Sequence, residues 1–422
     1  MTTTANELQT KGAAARRASR DLARTSTDVK NQALEAIADS LLDRAEEIIA
    51  ANEIDVEGGK QSGLTPAVID RLTLNQKRLA AIAADTRAVA VHPDPVGEML
   101  DMKTLPNGMR VGRRRVPLGV IAAIYEARPN VTVDIAALCL KSGNASILRG
   151  GKETINSNKI IVQVLREAIT AAGGPGEAVQ LIENTDRGLV GELLAMKETI
   201  DLVVPRGGAE LIKFVAENAT MPVLTGGIGV CHTYVDRAAD LDKAVAIALN
   251  AKTRKFSICN ALDTVIVHAD IAASFLPEMA RAFAEKKVEM RCDERALAIL
   301  QDSGNAVAAG PDDFDTEFLS LKAAVRVVDT LDEALEHIYE HGTGHSDAII
   351  TEDYSAANRF LDEVDSAVCY VNASTQFTDG AQFGLGAEII DSTQKTIARG
   401  PVGLREITTY KWIVFGSGQT RP

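Results

Sequence analysis

The chain is predicted to be an α/β protein built on doubly wound parallel sheets, and three observations predict it. Short continuous apolar runs such as Val120-Ile-Ala-Ala-Ile124, Ala145-Ser-Ile-Leu148 and Val265-Ile-Val267 alternate with helical stretches, the pattern of strands covered on both faces by crossover helices. Aromatic residues make up only 4% of the chain, which favours alanine- and valine-rich helices packed on a buried sheet. At 422 residues the chain exceeds what one core normally organises, so two or three domains are expected.

Residues 6–52 read as helical, with Leu34, Ile37, Leu41, Ala45 and Ile48 at helical spacing behind a cap-like Thr25-Ser-Thr-Asp28. A second helical stretch over 65–87 is broken by His92-Pro-Asp-Pro95. Leu100–Val116 reads as a hairpin turning at Pro106-Asn-Gly108. Beyond Gly119 come a strand at 120–124, a helix near 132–142, a strand at 145–148, a helix over 152–172, and strands at 179–182 and 202–204. A second alternation starts near Gly229 and contains strands at 265–267, 324–328 and 348–350. The last segment, Thr409-Tyr-Lys-Trp-Ile-Val-Phe415, alternates like an exposed strand. It needs a partner, and the expected one is the 100–116 hairpin of a neighbouring subunit. Arg113-Arg114-Arg115 reads as charge on an edge strand that resists aggregation.

Composition narrows the function. The net charge of −13 disfavours a nucleic-acid partner, because phosphate binding needs a basic footprint. No run approaches the ~20 apolar residues of a membrane span, and Met1-Thr-Thr-Thr-Ala-Asn lacks a signal-peptide core, so no membrane and a cytoplasmic location are expected. Cys139, Cys231, Cys259, Cys292 and Cys369 are odd in number and far apart, which argues against a disulfide framework and a Cys-x-x-Cys metal site. No metal is expected.

Cys259 stands out from the other four. It lies in Ala251-Lys-Thr-Arg-Lys-Phe-Ser-Ile-Cys-Asn-Ala261, behind the cations Lys252, Arg254 and Lys255 and before Asn260. Nearby positive charge favours the thiolate, the nucleophilic form of cysteine. An isolated cysteine is more often simply buried, so the neighbourhood must decide.

The wider neighbourhood resembles the aldehyde dehydrogenase superfamily in order and spacing. Pro117-Leu-Gly-Val120 leads to Gly143-Asn144, Leu148-Arg-Gly-Gly-Lys-Glu153 and Val204-Pro-Arg-Gly-Gly208. Thr225-Gly-Gly227 and Asp240-Leu-Asp-Lys-Ala244 precede the cysteine block, and Glu317-Phe318 and Phe383-Gly-Leu-Gly386 follow it. Finer details resemble the γ-glutamyl phosphate reductase branch. They are Tyr125-Glu-Ala-Arg-Pro-Asn130, Gly229-Val-Cys-His232, Lys252-Thr-x-Arg254 with Cys259-Asn-Ala261, and the run from His337-Ile338 to Gly344-His-Ser-Asp347. Ser374-Thr-Gln-Phe-Thr-Asp-Gly380 through Gly386-Ala-Glu388 and Ala398-Arg-Gly-Pro401 complete the set.

The resemblance implies an aldehyde dehydrogenase-like fold of two doubly wound parallel-sheet domains plus a small β oligomerisation arm. Residues 1–99 and 117–228 are expected to form an NADPH-binding domain and 229–375 a catalytic domain. Residues 100–116 and 402–422 would form the oligomerisation hairpin and arm, and 376–401 a return segment on the cofactor domain. The implied reaction is NADPH-dependent reduction of L-glutamyl 5-phosphate through a cysteinyl thioester on Cys259, with Asn260 beside it. A CoA-acylating aldehyde dehydrogenase is the alternative.

Departures from the superfamily pattern carry their own chemistry. Hydrolytic members place a water-activating glutamate before the Gly-Gly of Val223-Leu-Thr-Gly-Gly227, and here Val223, Leu224 and Thr225 supply no base. Where many NAD-using members carry a ribose-binding glutamate, this chain has Arg149-Gly-Gly-Lys152, so Arg149 and Lys152 are the expected cations for a 2′-phosphate. Gly207 and Gly208 open a helix after a strand and would let backbone N–H groups approach a pyrophosphate, although this is not the Gly-x-Gly-x-x-Gly fingerprint. Glu317 matches the glutamate that holds the nicotinamide ribose.

The superfamily's oxyanion-hole asparagine falls near Ala127 or Arg128. The Cys259 backbone N–H remains as one donor, with Arg128 or Asn130 as the second. Arg128, Asn130, Ser374 and Thr375 are the candidate substrate-binding residues. His345-Ser-Asp347 evokes a catalytic triad, but sequence neighbours cannot form that geometry, and His345 reads as structural or substrate-proximal. The expected partners are a small acyl phosphate, further copies of the chain in a dimer or tetramer, and glutamate 5-kinase as a candidate, since acyl phosphates are labile.

Overall fold

A computed structural model describes residues 4–421, with side chains from Glu7 onward. The chain divides into two compact units. Unit 1 is Met1–Thr225, Gly384–Ile390 and Val402–Pro422; unit 2 is Gly226–Phe383 and Asp391–Pro401. The stretch 376–401, expected to return to the cofactor domain as a whole, is divided: only 384–390 belong to unit 1.

Unit 1 opens with helices Thr4–Leu22, Thr27–Asp43 and Ala45–Gln61, where one long helical stretch was expected. The breaks have local causes. Ser26 caps the second helix by accepting from the Val29 N–H, and Arg44, outside helical geometry, separates the second from the third. The 65–87 stretch likewise becomes Pro66–Leu72 and Gln76–Val91, each with its own cap, Thr65 and Asn75. Strands β1 (Met99–Thr104) and β2 (Arg110–Pro117) form the expected hairpin.

Four parallel strands follow: β3 (Val120–Tyr125), β4 (Ala145–Gly150), β5 (Val179–Leu181) and β6 (Leu202–Arg206), in the order β5-β4-β3-β6. The chain runs outward from β3 in both directions, so the order reverses between β3 and β6. Every residue of β3 and β4 is buried, which explains their unbroken apolar reading. Helices Asn130–Lys141 and Ile155–Ala171 connect β3 to β4 and β4 to β5.

The C-terminal strand Thr408–Phe415 pairs antiparallel with β2 of its own chain, in a three-stranded sheet with β2 at the centre. Two expectations are corrected here. The strand has its partner within the chain, and the arginine run lies on a central strand. Arg113 stacks 4.7 Å from the Tyr410 ring and pairs with Asp101, while Arg115 bonds Glu98 at 3.2 Å and Thr408 at 2.9 Å. Cross-strand partners at that register use the charges locally.

Unit 2 carries β7 (Cys231–Val235), β8 (Leu262–His268), β9 (Glu289–Cys292), β10 (Ala306–Ala308), β11 (Lys322–Val328), β12 (Ser346–Ile350) and β13 (Val368–Val371). They form one sheet in the order β10-β9-β11-β8-β7-β12-β13, parallel at every pairing. Its core joins Phe275, Leu276, Met279 and Phe283 of helix Ala269–Glu285 to Val265, Val267 and Val325. Among the described residues no helix is long and apolar enough to cross a membrane.

Candidate active site

Cys259 lies on the turn between helix Leu241–Thr253 and β8, at the amino-terminal end of that strand. Its burial sets it apart from Cys139, Cys231 and Cys292, which are buried, while Cys369 shares its half-buried state. Burial pushes the thiols of Cys139 and Cys292 up to about 12 and raises those of Cys231 and Cys369. Cys259 is only half-buried.

The turn is fixed by backbone contacts from three directions. The Cys231 thiol donates to the Cys259 carbonyl at 3.2 Å. Gly229 packs so closely that a Cβ there would stand 1.5 Å from the same carbonyl oxygen, so only glycine fits. Asn260, 4% exposed, donates from Nδ2 to the Thr378 carbonyl at 2.8 Å, and the Thr375 hydroxyl donates to the Asn260 carbonyl at 2.7 Å. Gln376 closes the end of the preceding helix, donating to the carbonyls of Ala251 and Lys255.

These contacts redefine several expected roles. Thr375, fully buried, serves the Cys259 turn through the Asn260 carbonyl, while the Ser374 hydroxyl accepts from the Gln376 N–H and caps its own short turn. Asn260 also acts as a clamp. Lys252 does not stand beside the thiol as a free cation. It is completely buried and paired with Asp263 at 3.2 Å, and its ammonium sits 5.7 Å from the Phe318 ring. Arg254 donates to Gln376 at 3.0 Å. Burial lowers the Lys252 pKa and pushes the Asp263 carboxyl up to about 6, despite their mutual attraction. Glu317 accepts from the Gly229 N–H at 3.1 Å, and burial raises its pKa.

One grouping was not legible in the chain. The Cys259 Sγ, a ring nitrogen of His345 and a carboxylate oxygen of Asp391 all lie within 4.8 Å of one another. His345 precedes β12 and Gly229 precedes β7, so Cys259, Gly229 and His345 gather at the amino-terminal edge of the sheet. The general expectation for open α/β sheets is the carboxyl edge. Positions 223–225 are apolar or neutral, as read from the sequence, and the titratable groups that do stand near the sulfur, Asp391 and His345, come from other segments. The apparent His345-Ser-Asp347 triad dissolves, since Asp347 instead bonds the backbone N–H and Nδ1 of His232 at 2.8 and 2.9 Å.

In unit 1 the candidate residues collect at the carboxyl ends of β3, β4 and β6, where the strand order reverses. Glu126 accepts at 3.1 Å from the Gly208 N–H, at the start of helix Ala209–Asn218. A Cβ on Gly207 would meet that carboxylate at 2.5 Å. The helix terminus therefore already receives an oxyanion, which is the service a pyrophosphate needs. Sequence reasoning missed Glu126.

Ala127 holds a positive φ of 47° and donates its N–H to Glu153 at 2.7 Å, a strained backbone at the position expected near the oxyanion donors. Lys152 is exposed, as a phosphate-binding cation must be. Arg149 is buried and donates to the carbonyls of Thr185 and Asp186 at 3.1 and 3.3 Å, so it supports a loop. The Asn130 amide donates to Asp134 at 2.9 Å, and burial pushes that carboxyl up to about 6. Arg128 is exposed. Although solvent reaches the residue, its guanidinium is partly desolvated, and this lowers its pKa first, followed by the nearby positive charges of Arg206 and Arg71, a grouping suited to an anion.

Residues 1–298 match the model of the aldehyde dehydrogenase family. The chain is 57% identical over 417 residues to a γ-glutamyl phosphate reductase of Dehalococcoides mccartyi, covering 98% of each. It is 56% identical over 420 residues to that of Roseiflexus castenholzii, covering 98% of this chain and 99% of the relative. The chain belongs to the γ-glutamyl phosphate reductase branch of the aldehyde dehydrogenase family. The crystal structure of the γ-glutamyl phosphate reductase from Thermotoga maritima superposes with a TM-score of 0.96 at 48% identity, covering 99% of this chain and all of that one. An acetylating aldehyde dehydrogenase from Geobacillus thermoglucosidasius, 18% identical with a TM-score of 0.70, shares the fold over 99% of this chain and 98% of its own. Members of the family are oxidoreductases that use a nicotinamide cofactor.

Proposed function

We propose that the protein reduces L-glutamyl 5-phosphate to L-glutamate 5-semialdehyde and phosphate, using NADPH, as the second step of proline biosynthesis from glutamate. The observation that carries this reading is Cys259: a half-buried thiol on a turn held by Gly229 and Asn260, in a chain 57% identical end to end to such reductases. The Cys259 thiolate attacks the acyl carbon, the C–O bond to phosphate breaks, and a γ-glutamyl thioester forms. Bound nicotinamide supplies the hydride that reduces this thioester. Collapse of the resulting thiohemiacetal releases the semialdehyde and restores Cys259. The Cys259 N–H stabilises the oxyanion, and Arg128 receives the phosphate or carboxylate charge, since Asn130 is engaged with Asp134.

Unit 1 is the NADPH-binding unit in this reading and unit 2 the catalytic one. Gly207 and Gly208 receive the pyrophosphate as Glu126 yields the helix terminus, Lys152 faces the 2′-phosphate with Arg149 supporting its loop, and Glu317 takes the nicotinamide ribose. A homo-oligomer, dimer or tetramer, is supported by the exposed Tyr410, Trp412, Val414 and Phe415 of the C-terminal strand. Glutamate 5-kinase is a candidate partner because its acyl phosphate product is labile, and the cytoplasm is the expected location.

The test runs the reaction backwards with semialdehyde, NADP and phosphate. NADPH formation is expected to require phosphate and to prefer NADP over NAD. Turnover with CoA replacing phosphate would instead support the CoA-acylating reading. Lys152→Glu is expected to raise the KM for NADP about tenfold or more, equivalent to ~1.4 kcal/mol, with little change for NAD. An equal loss with both cofactors would remove Lys152 from the 2′-phosphate.

A further inference from the structure

His345 is almost fully buried, 2% exposed, and its Nε2 finds no hydrogen-bond partner in the protein. Burying an unpaired polar nitrogen is costly, so a buried ring left in this condition calls for a function. Its other nitrogen is oriented with care. Nδ1 bonds the Ser346 hydroxyl at 2.9 Å, Ser346 bonds the Thr378 hydroxyl at 2.7 Å, and Thr378 bonds the Tyr370 hydroxyl at 2.8 Å. If this chain of hydroxyls takes the Nδ1 proton, the Nε2 lone pair is left as an acceptor. Thr378 is also the residue whose carbonyl clamps Asn260, so the orienting chain and the nucleophile's turn share a support.

We infer that Cys259, His345 and Asp391 form a proton-transfer trio, in which His345 accepts the Cys259 thiol proton and passes it to the departing phosphate while Asp391 steadies the imidazolium. The inference deepens the reductase reading and rests on it for the second transfer. The separation of up to 4.8 Å is spanned by a rotation of the cysteine side chain or by one bridging water. In the first step the S–H bond breaks, the proton moves to the imidazole, and sulfur bonds the acyl carbon. The C–O bond to phosphate then breaks, the imidazolium proton goes to the leaving oxygen, and hydrogen phosphate departs. The ring starts neutral, as an acceptor must, since burial pushes its pKa down to about 4. The charge it gains in transit is what a carboxylate close by can offset. These three residues come from three separate segments, which is the arrangement that adjacent His345 and Asp347 could not supply.

The test is alkylation of Cys259 by iodoacetamide in the whole protein near neutral pH, followed by mass spectrometry and without substrate. His345→Gln is expected to slow alkylation about tenfold or more and to lower kcat for semialdehyde oxidation by 10²–10⁴-fold, roughly the span of general acid–base catalysis, with KM little changed. Asp391→Asn supplies an arm that does not depend on a buried substitution, and it is decided by sign. Losing a negative charge that merely sits beside the thiol would speed alkylation, whereas losing the partner of the imidazolium slows it. Slower alkylation in both variants at an unchanged melting temperature supports the trio. Alkylation of His345→Gln at the wild-type rate, or faster alkylation of Asp391→Asn, overturns it. Failure of the reductase reading shows separately, as absence of phosphate-dependent NADP reduction in the wild type.

Discussion

Cys259→Ala is expected to lower turnover of semialdehyde and phosphate by at least about 10⁴-fold, the scale of losing a covalent nucleophile. NADPH binding, followed by the cofactor's fluorescence, is expected to remain within about twofold of the wild type. The physical ground is the state of the other thiols. Cys231 lies beside the reacting turn, but burial, then Asp347, raises its pKa, and it spends its proton on the Cys259 carbonyl. It is no substitute nucleophile. Residual turnover within about a hundredfold of the wild type would remove Cys259 from the reaction.

Lys252→Met is expected to destabilise the protein by about 3–5 kcal/mol, the usual cost of removing one member of a buried ion pair. Asp263, 2% exposed, would keep only the Phe318 N–H at 3.1 Å. The loss has a definite pH dependence. With Lys252 present, burial already holds the Asp263 carboxyl at about 6, above its ordinary range, and without the cation it rises further. A carboxyl whose folded-state pKa is raised adds stability where it is protonated, and that stability disappears as pH rises through the folded value. The penalty is therefore small near pH 5 and much larger near pH 8. Chemical denaturation at the two pH values measures it. The double variant Lys252→Met/Asp263→Leu is expected to recover most of the loss. A single variant as stable as the wild type near pH 8 would show that Lys252 contributes nothing to folding.

The two substitutions probe the same block of sequence and separate its two meanings. Lys252, Arg254 and Cys259 read along the chain as a cysteine among activating cations. In the fold Lys252 closes a buried pair behind the site and Arg254 holds Gln376. Charge in sequence proximity does not become charge in space, because a helix end turns successive side chains in different directions.

Much was legible because it depends on local physics. Buried parallel strands need unbroken apolar runs, so β3, β4, β8 and β12 were readable, with boundaries moved by a few residues. The glycine at 229 was readable as part of a motif, but its reason was not. Only packing reveals a carbonyl 1.5 Å from where its Cβ would be. In the amino-terminal helical stretch the cap at Ser26 was readable, but the break at Arg44 was not, because Arg44 offers no side-chain cap and the apolar period continues through it.

The amino-acid sequence by itself determined the fold class and the family and singled out the candidate cysteine, since alternation, turn chemistry and motif order are properties of neighbours along the chain. Tertiary structure alone decided what surrounds that cysteine. It paired Lys252 with Asp263, set Thr375 to holding the turn, and joined the C-terminal strand to the chain's own hairpin. It also brought His345 and Asp391 to the Cys259 sulfur. Parallel strands place residues far apart in sequence at one edge of a sheet, and no spacing along the chain encodes that meeting.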